Sequence, residues 1–117
     1  MNYLVQHALN ALIMLHHQGV FELEMIVQKY CHNPALMFGI SERGFIREGY
    51  YADLVLFNPE TEWEVTFENV LYGCGWTPFM HEPFKGRVTH TWVNGHLAYE
   101  NGVINDNILG RRLQFQR

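Results

Sequence analysis

Seven histidines, two cysteines and a single serine are the side chains from which this chain of 117 residues would have to build metal or nucleophilic chemistry. The histidines are His7, His16, His17, His32, His81, His90 and His96. A zinc centre asks for ligands at helical i, i+3 or i+4 spacing, for an HxH on one strand face, or for paired cysteines. His16 and His17 are adjacent, so on a helix they point about 100° apart and cannot easily share an ion. His7 and His16 lie more than two turns apart. His90 and His96 flank a hairpin signal and approach across it, with no carboxylate or third histidine placed beside them. The spacing therefore yields no metal site within the chain. Nucleophilic catalysis fares no better, because Ser41 has no Gly-x-Ser-x-Gly elbow around it. Cys74 sits in Gly73-Cys74-Gly75-Trp76, where the glycines read as a tight turn beside a bulky indole rather than an activated thiol. Asp53 reads as a short acceptor that fixes a turn through backbone N–H groups, not as a catalytic carboxylate. The glycines are dispersed and form no Gly-x-Gly-x-x-Gly motif opening a helix.

The elements that would position these residues change character near Ser41. Leu4, Val5, Ala8, Leu9, Leu12, Ile13 and Leu15 recur at three- and four-residue spacing, which predicts a helix ended by Gly19. A second helix is predicted over Glu22 to Tyr30, with Leu23, Ile26, Val27 and Tyr30 on one side and Glu22 and Glu24 in its first turn. Asn33-Pro34 reads as cap and first residue of a short third helix, Ala35 to Phe38, stopped by Gly39. Beyond Ser41 the residues suit strands and turns. Asp53 to Phe57 is a short apolar strand closed at Asn58-Pro59, and Trp63-Glu64-Val65 alternates as an edge strand. Arg87 to Val93 is β-branched and aromatic, Asn94-Gly95 is a hairpin signal, and His96 to Tyr99 is the return strand before Asn101-Gly102.

Composition bounds the rest. Hydrophobic residues make up 48% and charged residues 17%, which is globular rather than disordered chemistry. A net charge of −4, with no basic stripe, argues against a nucleic-acid partner. No apolar run approaches a membrane span, and the residues after Met1 do not form a secretory signal, so the expected compartment is the cytoplasm. Cys31 and Cys74 read as two free thiols rather than a disulfide. The expected fold class is α+β: a helical segment over residues 1–43, then a small antiparallel β-module over 44–117. The core is expected to include Leu9, Leu12, Ile26, Val27, Phe38, Leu54, Leu56, Val88, Trp92 and Leu97. Three or four strands leave edges that need a cover or a partner.

Two further patterns carry a resemblance. They are Asn33-Pro34-Ala35-x-x-Phe38-Gly39 and Gly44-x-Ile46-x-x-Gly49-x-x-Ala52-Asp53-Leu54-Val55-Leu56. With Trp76-Thr77-Pro78-Phe79, Gly86-Arg87-Val88, Thr91-x-Val93-Asn94-Gly95 and Gly110-Arg111-Arg112-Leu113-x-Phe115, the chain resembles the C-terminal part of the cyclic amidohydrolases. Dihydroorotase is the member suggested, with allantoinase and dihydropyrimidinase as relatives. The resemblance implies a parent (β/α)₈ barrel that opens a cyclic amide with zinc, interconverting dihydroorotate and N-carbamoyl-aspartate in pyrimidine synthesis. It places residues 1–43 among the last barrel helices and 44–117 in a composite β-sandwich. It carries no catalytic, cofactor-binding or metal-binding residue onto any position of this chain, whose ligands and catalytic Asp would lie upstream of Met1. The implied partners are the remaining barrel and the N-terminal strands of the parent. Without those strands, β-edges on Asp53–Phe57 or Arg87–Val93 are expected to be exposed and to favour self-association. A stand-alone, non-catalytic interaction module is the rival reading.

Overall fold

The computed structural model describes residues 5–71 and 73–116. The element order is three short helices and then four strands: α1 (Ala8–His17), α2 (Leu23–Val27), α3 (Asn33–Met37), β1 (Leu54–Glu64), β2 (Pro83–Val93), β3 (His96–Glu100) and β4 (Val103–Ile104). The strands form one sheet in the order β1-β2-β3-β4, with β2–β3 and β3–β4 antiparallel. The Cα positions cluster into two compact units, Met1–Glu22 with Asn58–Arg87, and Leu23–Phe57 with Val88–Arg117. Strands β1 and β2 each contribute residues to both.

Helix α1 lies where the apolar spacing put it, though its first helical residue is Ala8. The second prediction needs correction. Helix α2 does not end before a capped third helix, because a π-helical turn, Gln28–His32, joins it directly to α3. Asn33 has φ −62° and ψ −43°, which is helical geometry, so it is not an N-cap. An α-helical turn would drive the Pro34 ring into the carbonyl four residues back, at Tyr30, and the wider turn opens there.

The strand boundaries also shift. Asn58-Pro59 does not close a turn, since β1 runs through it and absorbs Trp63-Glu64 into the same strand. Proline has no N–H for a ladder and is tolerated there because β1 is an edge strand. Of the two places where an exposed edge was expected, Arg87–Val93 lies in β2 between β1 and β3, whereas Asp53–Phe57 leads into and begins the edge strand β1. Asn94 and Gly95 have φ 51° and 79°, the paired positive values of a type I′ hairpin turn. Asn101 and Gly102 repeat them at 45° and 93° and add the short β4, which the sequence reading missed.

Each unit has a small core. In the first, Val65, Val70 and Phe84 are buried together, with Met14, Trp63, Phe79 and Met80 packed against them. In the second, Ile26 and Ala35 are the buried apolar side chains among the described residues. Of the expected core, Ile26 is buried, and Leu9, Leu12, Leu54, Val88, Trp92 and Leu97 are half-buried. Val27, Phe38 and Leu56 are exposed. Val27 immediately precedes the π-turn, which breaks the 3.6-residue phase the projection assumed. Phe38 lies past the end of α3 with ψ near 1°, off the helical face. Leu56 and its neighbour Val55 are both exposed, so the apolar start of β1 is not a strand buried on both faces.

Gly86 locks the first unit. Its φ is +109°, and a Cβ there would meet Ile13 Cγ2 at 2.6 Å. Its carbonyl accepts from Asn10 Nδ2 at 3.2 Å and from Trp63 Nε1 at 2.9 Å, so helix and strand are tied to one oxygen. Gly86→Ala is expected to destabilise the chain by about 1–3 kcal/mol, the usual range for overpacking, measured as a lower urea midpoint. Ile13→Ala removes the clashing Cγ2, so the Ile13→Ala/Gly86→Ala pair should cost less than the sum of the two single losses.

Candidate functional site

Two polar nodes stand out from this framework, one in each unit. His7 is fully buried in the first unit. Its ring centroid lies 6.2 Å from Trp63, 6.0 Å from Phe79 and 6.0 Å from Phe84. Thr77, also buried, places Oγ1 3.4 Å from His7 Nδ1 and accepts from the Phe79 N–H at 3.4 Å. Burial holds the His7 imidazole below the ordinary value of 6.5. The neutral ring is thus the form that the folded chain prefers.

The second node joins Arg43, Asp53 and Asn94. The buried Arg43 guanidinium pairs with one oxygen of Asp53 and lies 4.1 Å from the centroid of the Tyr51 ring. The other Asp53 oxygen accepts the Asn94 backbone N–H at 2.8 Å, across 41 residues of chain. One position further, Gly95 N–H donates to Ala52 C=O at 3.0 Å. Asp53 is a backbone acceptor, as its position suggested, but the turn it fixes is the distant hairpin rather than its own.

The remaining candidate residues are dispersed. His16 Nδ1 lies 2.8 Å from Phe21 C=O and His17 Nε2 lies 2.8 Å from Pro59 C=O. His32 stacks on Phe45 at 4.2 Å. His81 Nδ1 is 3.2 Å from Glu64 in an exposed pair. His90 is placed by Thr89 Oγ1 at 2.9 Å and by Glu100 at 3.5 Å, and stacks on Trp92. His96 Nε2 faces Asn105 C=O at 3.3 Å. Among the described residues no three of His, Cys, Asp and Glu converge on a point that would hold a metal ion. The donor set does not fit a zinc centre, and ring nitrogens turned to backbone carbonyls act as hydrogen-bonding groups. Cys31 and Cys74 are free and exposed, and Cys74 Sγ lies 3.5 Å from Trp76 C=O within its own turn. Ser41 meets a distant segment through its backbone N–H, which donates to Gln114 C=O at 2.8 Å.

The sequence reading missed Arg43 and Asn10, both buried. For Asn10 a signal existed: it is a polar residue inside the apolar stripe between Leu9 and Ile13. Arg43 precedes the glycine of a quoted motif and had no distinguishing neighbour.

Two outcomes follow. Asp53→Ala leaves Arg43 buried without its carboxylate and should cost about 2–3 kcal/mol in urea unfolding, the scale of a hydrogen bond to a charged group. Asp53→Asn keeps an acceptor for Asn94 and should cost less. For His7, the lowered folded value means the unfolded chain takes up the proton more readily. Its contribution is fully present above about pH 6.5 and is lost as pH falls through that value towards the folded pKa. The urea midpoint should fall between pH 7.5 and 5, by less in His7→Gln than in the parent chain.

The comparisons with known proteins agree with one another. The profile of the Amidohydrolase family matches residues 1–98. The chain is 33% identical over 96 residues to a dihydroorotase from Pyrococcus furiosus, covering 82% of this chain and 23% of that protein. It is 32% identical over 94 residues to an allantoinase from Rubrobacter xylanophilus, covering 80% of this chain and 21% of that protein. The solved L-hydantoinase (dihydropyrimidinase) from Arthrobacter aurescens superposes with TM-score 0.69 at 27% identity, over 76% of this chain and 20% of that one. The chain thus spans about a fifth to a quarter of the length of the relatives it matches.

Proposed function

This chain belongs to the amidohydrolase family, and from that membership we propose that it is the C-terminal structural part of a dihydroorotase-like cyclic amidohydrolase. The observation that carries this reading is what the motif residues do. Asp53 fixes the Asn94-Gly95 hairpin, Thr77 lines the His7 pocket, and Gly86 receives α1 and Trp63. Residues that resemble the family's signature serve folding here, as expected of a segment that supports a catalytic body elsewhere. Zinc and the catalytic Asp belong, on this reading, to the barrel of the parent enzyme, and none of this chain's residues takes a step in the reaction. The parent's substrate is proposed to be dihydroorotate, opened reversibly to N-carbamoyl-aspartate in the cytoplasm as a step of pyrimidine synthesis. The similarity to an allantoinase at nearly the same identity keeps a second cyclic amide in view. Among the described residues no helix is long and apolar enough to cross a membrane.

The exposed apolar residues support a supporting role. Leu36, Met37 and Phe38 form a consecutive run at 69%, 75% and 64% exposure, and Ile46 reaches 88%. Surface of that kind is normally covered. In the proposed parent its cover is the barrel and the N-terminal strands.

Purified chain supplied with zinc and dihydroorotate should open no ring above a heat-killed control. Turnover that tracks chain concentration would overturn the proposal. Reading the coding DNA upstream of Met1 separates the rival: a frame continuing into an HxH and a later lysine supports the parent enzyme. A stop codon followed by a ribosome-binding site would favour a stand-alone interaction module.

A further inference from the structure

Residues 105–116 leave the sheet after Asn105 N–H donates to Ala98 C=O at 2.8 Å. All twelve are exposed, Ile108 at 62% and Leu109 at 83%. The segment is held again at its far end by backbone hydrogen bonds. Ile40 and Phe115 face each other as antiparallel partners, Ser41 N–H donates to Gln114 C=O at 2.8 Å, and Gln116 N–H donates to Gly39 C=O at 2.7 Å. Gly39 makes the fit, since a Cβ there would stand 2.8 Å from the Gln116 carbonyl oxygen.

Charge divides at the same place. Residues 1–104 carry five Lys and Arg against eleven Asp and Glu, whereas residues 105–117 carry three Arg and one Asp. A basic strand is therefore tethered to an acidic body. Two bodies repel, but the strand of one is attracted to the body of another.

We propose that segment 110–116 is an exchangeable strand, which docks on the 39–41 edge of its own chain and on the same edge of a second copy. The contacts are identical in the two cases. The tether 105–109 spans up to about 17 Å when extended. Exchange then breaks no contact that the second copy does not restore, which is the condition for strand swapping. The edge is used by backbone groups, so its partner is defined by an extended shape, by alternating Leu113 and Phe115, and by the arginine pair before them.

The test uses the full chain with Cys31 and Cys74 replaced by serine. The facing pair is converted in separate copies of different mass, Ile40→Cys in one and Phe115→Cys in the other. The pair is also converted together in one chain. At low concentration the double variant should form an internal disulfide, as direct antiparallel partners allow. After concentration to the millimolar range, mixed single variants should give the 40–115 heterodimer at several times its statistical share. That excess should shrink in high salt. Adding Gly39→Ala to the Ile40→Cys copy should remove the excess. An internal disulfide with only a statistical heterodimer yield overturns exchange and leaves a fixed clip. Absence of the internal disulfide overturns the anchor itself.

Discussion

Asp53 holds two things that the backbone alone would leave apart. One oxygen takes the Arg43 guanidinium from the loop after α3, and the other takes the first N–H of the β2–β3 hairpin turn. The arginine is buried, so its charge requires a partner in place. Its face lies on Tyr51, which brings the residues just before β1 into the same contact. Loop, strand entry and hairpin are thereby fixed to one carboxylate. The second unit has few buried apolar side chains to do this by packing, so its order depends on that ionic node more than a larger core would require.

The first unit solves the same problem differently. Asn10 and Trp63 share the Gly86 carbonyl, and His7 fills an aromatic pocket as a neutral ring. Asn10 and Trp63 thus place their side-chain N–H groups on a backbone acceptor beside an apolar cluster. Among the described residues neither unit brings three metal-ligating side chains together.

Much of this was legible in the chain. The apolar spacing of Leu9, Leu12 and Ile13 located α1, and Asn94-Gly95 located the hairpin, because both signals depend on a few adjacent residues. The turn-fixing role of Asp53 was also readable, but not its partner, since 41 residues of chain separate it from Asn94. Boundaries failed where position in the sheet overrode local preference. Pro59 reads as a stop, and only the edge placement of β1 lets the strand continue through it. The dispersal of the histidines was visible as spacing, whereas the buried Arg43 gave no local sign.

The π-helical turn over Gln28–His32 has a consequence for how this segment tolerates change in length. A π-turn is an α-helix that has taken in one residue without breaking. Deleting one residue there would close the wide turn to an α-helical one and leave the residues after it nearly in phase. Ala35 would keep the face on which it meets Gly44, where a methyl on the glycine would stand 2.4 Å from the alanine Cβ. The wide turn is therefore the point at which this segment holds a surplus residue while presenting the same side of α3 to the loop carrying Arg43.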